Sequence, residues 1–74
     1  MWNFERLFTR EAGRTPSQYV MEARVEAARR QLEQTERGLK QIASAVGFGS
    51  ADLMRRAFAR VVGMPPGKYR DRLR

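Results

Sequence analysis

Two adjacent arginines, Arg55 and Arg56, follow Ala51 and Asp52 by one turn on a segment with helical periodicity. A guanidinium can donate two parallel hydrogen bonds to the O6 and N7 acceptors of guanine. An exposed helix face with small residues at its start and arginines one turn in therefore fits insertion into the DNA major groove. Arg60, further along the segment, reads as a phosphate or surface residue. Other chemistries have little to work with. The chain has no cysteine and no histidine, which leaves out disulfides, thiolate metal sites and the usual zinc and triad chemistries. It offers no paired carboxylates, nucleophile–base pair or phosphate loop, so neither enzymatic activity nor a metal or cofactor is expected.

The segment from Leu39 to Val62 must position these arginines. Leu39, Ile42, Ala43 and Val46 fall at i, i+3, i+4 and i+7 on a short helix that Gly47 ends, and Ser50 caps a second helix with an apolar face of Met54, Ala57, Phe58 and Val61. Two helices and a four-residue turn make a helix-turn-helix unit. It needs a small residue at the crossing, here Ala43, and a positive φ in the turn, here at Gly47. Phe48 fills the corner. Upstream, Thr15, Pro16 and Gln18 predict a capping box and the start of a long connecting helix that runs to about Gln34. Its buried side is predicted to carry Tyr19, Val20, Ala23, Ala27 and Leu32, with Glu22, Glu26, Arg29, Arg30 and Glu33 facing water. Arg24 on this helix has two readings, a structural ion pair or a phosphate contact. Tyr69, like Tyr19, reads as a packing residue with its hydroxyl at the surface.

An internal repeat organises the chain. Arg6, Phe8, Arg10, Gly13, Pro16 and Tyr19 recur fifty residues later as Arg56, Phe58, Arg60, Gly63, Pro66 and Tyr69, six identities over sixteen ungapped positions. Two copies of one unit are therefore expected, the first incomplete because its leading helix would fall before Met1. This predicts one all-α domain: residues 3–12 as a remnant of a first helix-turn-helix, 16–34 as the connecting helix, and 39–74 as the second helix-turn-helix with a C-terminal helix. Fifteen Lys and Arg against eight Asp and Glu give a net charge of +7 over 74 residues, which calls for a polyanionic partner. Double-stranded DNA is the first candidate. An acidic membrane surface ranks below it, because the glycines, prolines and repeat specify a compact fold; no apolar run approaches the roughly 20 residues of a membrane span either. A cytoplasmic location is expected.

Arg24 to Leu32, Ile42 to Ser50, Arg55 to Phe58 and Gly63 to Arg70 together resemble the C-terminal DNA-binding domain of AraC/XylS-type bacterial transcription regulators. The resemblance covers the whole chain. The run Gly47-Phe48-Gly49-Ser50 looks most like members whose sensor half is a glutamine-amidotransferase-like domain. The likeness implies a homeodomain-like helix-turn-helix fold, with two units joined by a long helix, and a sequence-specific DNA-binding function. It also implies base contacts through Ala51, Asp52, Arg55 and Arg56 in the second recognition helix and through Trp2, Asn3, Glu5 and Arg6 in the first. The family's two preceding helices and its effector or dimerisation domain have no counterpart in these residues, so no small-molecule effector is expected here. Phe4, Leu7 and Phe8 lack the packing partners that Met54, Ala57 and Phe58 have. A homo-oligomer is therefore expected, with Trp2, Phe4, Leu7 and Phe8 at its interface. The alternative function is an interaction module that self-associates through this apolar face and binds DNA only weakly.

Overall fold

A computed structural model describes residues 15–73, and the fold over that span is all-α. Helix α1 is Pro16–Gln34, α2 Leu39–Val46, α3 Ala51–Val62 and α4 Pro66–Arg72. Local chemistry sets each boundary. Thr15 Oγ1 accepts the Gln18 N–H at 3.2 Å while Gln18 Oε1 accepts the Thr15 N–H at 3.0 Å, so the capping box is closed and Pro16 begins the helix. Gly47 ends α2 with φ +99°, and the next N–H, of Phe48, reaches back to the Ala43 carbonyl at 2.8 Å. Ser50 Oγ caps α3 by accepting the Leu53 N–H at 3.1 Å. Gly63, at φ +95°, closes it.

The core forms where three helices meet. Val25, Ala28 and Leu32 of α1, Ile42 and Ala43 of α2, and Met54 and Phe58 of α3 are all buried. Leu39, Val46, Phe48, Ala57, Val62 and Tyr69 pack around them. Ala43 lies in this cluster, as its small size at the crossing requires. The Tyr69 ring of α4 meets Phe58 edge-on, with centroids 5.5 Å apart. Helix α1 packs against each of the other three. Its C-terminal half thus packs on the helix-turn-helix pair α2 and α3 as well as serving as a connector.

Two expected faces are corrected. In α1 the buried residues are Val25, Ala28 and Leu32, at i, i+3 and i+7, whereas Tyr19 is 47% and Val20 43% exposed; Ala23 is exposed and Ala27 half-buried. The rest of the unit lies beside the second half of α1, so the first half adds nothing to this core. In α3, Val61 is exposed and its neighbour Val62 packs inward.

Arginines from elsewhere in the fold complete two helix ends that have no basic residue of their own in the last turn. At the end of α1, Arg70 of α4 donates to the carbonyls of Leu32 (Nε, 3.4 Å), Thr35 (Nη2, 3.0 Å) and Arg37 (Nη1, 2.6 Å). At the end of α2, the Arg24 side chain lies over Gly47, so close that a Cβ there would sit 3.1 Å from Arg24 Nε. Both placements set a cation against the negative end of a helix dipole. Arg24 shows no carboxylate partner among the described residues, so the ion-pair reading is not seen there.

Candidate nucleic-acid interface

Helix α3 has one buried ridge and one exposed ridge. Met54 and Phe58 are fully buried, which fixes the rotation of the helix and turns Asp52, Arg55, Arg56 and Arg60 outward. Asp52, Arg56 and Arg60 follow at four-residue intervals, a line about 12 Å long at 1.5 Å per residue. Arg56 is more open than Asp52 or Arg55, its side chain 76% exposed.

One carboxylate holds both adjacent arginines. Asp52 Oδ1 accepts from Arg55 Nη2 at 3.2 Å, and Asp52 Oδ2 lies 3.1 Å from Arg56 Nη2. Exposed ion pairs of this kind contribute about 0–1 kcal/mol, so they orient the side chains and are readily exchanged for other partners. Asp52 also sits in the first turn of α3, at the positive end of its dipole. The fold thus brings together Asp52, Arg55 and Arg56 as the sequence predicts, with Arg60 one turn beyond.

Ala51 departs from its expected place. It is half-buried and packs against the core, because the turn from Gly47 to Ser50 brings the start of α3 close to α2. There it joins Lys40, Ser44, Phe48, Gly49 and Ser50 around a shallow concavity. Sequence reasoning passed over Lys40 and Ser44; the signal available was a lysine on the polar side of an amphipathic helix. Arg60 borders a second groove with Ser17, Gln18 and Met21 of α1, continued by Leu53, Arg56 and Ala57. The expected first-helix contacts Trp2, Asn3, Glu5 and Arg6 lie outside the described residues, as do Phe4, Leu7, Phe8 and Gly13.

Away from this face, a charged network joins α1 to α4. Arg29 donates to both carboxylate oxygens of Glu26, one at 2.9 Å, and to Glu33 at 2.7 Å. Glu33 also accepts the Tyr69 hydroxyl. The Arg29 hydrogen bond holds the Glu26 carboxyl below its ordinary range, and the charges of Arg29 and Arg30 add to this against the effect of burial. Arg29 is in turn held more firmly protonated, by Glu26 first and by Tyr69. Tyr69 therefore packs by its ring and bonds by its hydroxyl.

The helix-turn-helix domain family matches residues 1–72. The chain belongs to this family, in its AraC type. It is 50% identical over 68 residues to the HTH-type transcriptional regulator Rv1931c of Mycobacterium tuberculosis, covering 92% of this chain and 26% of that protein. Among solved structures, the DNA-binding domain of AdpA, a global transcriptional factor crystallised with a target DNA, is 34% identical with a TM-score of 0.88; the match covers 92% of this chain and 61% of that one. A Chromobacterium violaceum transcriptional regulator with an AraC-type DNA-binding domain is 33% identical with a TM-score of 0.87, over 93% and 62% of the two chains. The chain thus spans about a quarter of the length of the curated relative and three fifths of each structural neighbour.

Proposed function

We propose that this chain is the sequence-specific DNA-binding module of a bacterial transcription regulator, acting in the cytoplasm, and that α3 is the helix it inserts into the major groove. The carrying observation is the exposed ridge of Asp52, Arg55, Arg56 and Arg60 on a helix whose opposite ridge is locked into the core. A net charge of +7 supports it, as does the likeness to a domain crystallised on its target DNA. Arg56 reads guanine, Arg55 and Asp52 flank it, and Arg60 and Lys40 contact phosphates on either side. Ala51 and the first-helix residues Trp2, Asn3, Glu5 and Arg6 complete the assigned contacts. The role is binding, without catalysis, and no effector site is assigned to these residues. The domain plan is the one given by the repeat, with residues 3–12 belonging to a first unit and 39–74 to the second.

The test is a duplex titration on a site selected from a random pool. Affinity should fall by about 0.9 log unit per log unit of salt for each phosphate contacted. Arg56→Ala should cost about 1–3 kcal/mol on the selected site and much less on random duplex. Equal losses on both would make Arg56 a phosphate contact, and no loss would remove it from the interface. Self-association is the second part of the reading. Val20, Leu53 and Val61 leave apolar surface exposed, which adds to the apolar residues Trp2, Phe4, Leu7 and Phe8.

A further inference from the structure

We infer that Asp52 is a positioning and discriminating residue, whose carboxylate sets Arg56 for guanine and restricts the neighbouring base to one that offers a hydrogen-bond donor. The inference rests on the DNA-binding reading above and deepens it. Asp52 stands three and four residues before Arg55 and Arg56, and its two oxygens are divided between them at 3.2 and 3.1 Å. With Nη2 of Arg56 drawn toward Asp52, the guanidinium is biased toward one side of the ridge by a weak pair that it can exchange for guanine O6 and N7. The same carboxylate would enter the groove with its remaining acceptor capacity facing the bases. A carboxylate accepts and does not donate, so it is satisfied there by cytosine N4 or adenine N6 and repelled by the acceptors of guanine O6 and thymine O4. Away from a matching base, a negative charge beside the phosphates opposes binding. One residue therefore strengthens the preferred sequence and weakens the rest, as specificity by repulsion requires.

The experiment compares the unaltered chain with Asp52→Asn, Asp52→Ala and Asp52→Glu. Each is titrated with the duplex selected by the unaltered chain, with the three alternative versions at each base pair of that site, and with random duplex. Circular dichroism melts of each variant identify any that fail to fold, and Asp52→Asn keeps the shape while removing the charge and exchanging one acceptor oxygen for a donor. The expected result for Asp52→Ala is tighter binding to random duplex and weaker binding to the selected site. The ratio between them should fall about tenfold or more, with relaxed preference at a single base pair next to the guanine. Asp52→Asn, which can donate as well as accept, should relax that same position. A uniform gain on every duplex would overturn the proposal, showing that the carboxylate is only a negative charge. An unchanged ratio would also overturn it. If the unaltered chain itself preferred no sequence, the DNA-binding reading would have failed instead, and the two failures are separated by that control.

Discussion

Gly47 meets two demands at one backbone position. Its φ of +99° lies in the left-handed region, and its missing side chain leaves room for Arg24 to lie across the turn. A β-branched residue there takes on the unfavourable backbone of about 1–2 kcal/mol and must also displace the guanidinium stem. Gly47→Val should therefore lower the melting temperature by about 10 °C or more, since 1 kcal/mol moves a domain of this size by roughly 4–8 °C. Gly63, at φ +95° with no atom of the described residues near its absent Cβ, provides the internal comparison. Gly63→Ala should cost only the backbone term, and a melt in which it proves as damaging as Gly47→Ala would show that Arg24 contributes nothing to the turn. Glu26 adds a pH signature. Its carboxyl is held below the ordinary value of 4.5 by Arg29, so its contribution is present above that value and lost as the pH falls through the lowered one. The stability gap between the unaltered chain and Glu26→Gln should be seen at neutral pH and narrow as the pH falls below 4.5 and through the lowered value. A gap constant down to acid pH would assign Glu26 no ionic role.

At the scale of elements, α1 and α4 are tied together by side chains acting on backbone. Arg70 makes three charge-assisted bonds to carbonyls at and just beyond the end of α1, while Tyr69 packs its ring on Phe58 and bonds Glu33. Removing a donor to several carbonyls costs about 1–3 kcal/mol when they are left poorly solvated. Arg70→Ala should therefore destabilise the domain measurably in a urea melt. Arg70→Lys should recover little, since an ammonium cannot span three acceptors as the planar fork does. Full recovery by lysine would mean that charge near the helix end matters and geometry does not. Between α2 and α3 the constraint is steric. Ala43 is 1% exposed at their crossing, and Ala43→Leu would force the helices apart at about 1–3 kcal/mol.

For the whole molecule, the small core leaves little reserve, because a domain of this size buries only about 60% of the surface its unfolded chain exposes. Unburied apolar residues then favour association, each large side chain forgoing about 1.5–3 kcal/mol while it stays in water. Sedimentation equilibrium should therefore return a mass above 8.6 kDa at high concentration, lowered toward the monomer by Phe8→Asp. A monomer unchanged by that substitution would rule out self-association through this face.

Helix ends were legible in the sequence where capping is local chemistry: Thr15 with Gln18 and Pro16 mark the start of α1, Gly47 the end of α2, Ser50 and Gly63 the two ends of α3, and Pro66 the start of α4. The inward faces of α2 and α3 were legible as well, apart from the Val61–Val62 choice, since their apolar residues gather on one side. In α1 they are spread around the helix, so periodicity favoured Tyr19, Val20, Ala23 and Ala27 together with Leu32, of which only Leu32 is buried, and the position of the other helices selected Val25 and Ala28. The arginines show the same division. Arg55 and Arg56 stood out by type and spacing. Asp52, three and four residues before them on the same helix, is within reach of both by spacing alone. That Arg24 covers Gly47 and that Arg70 reaches carbonyls 33 to 38 residues back depended on which surfaces meet in space, and sequence spacing holds no record of that.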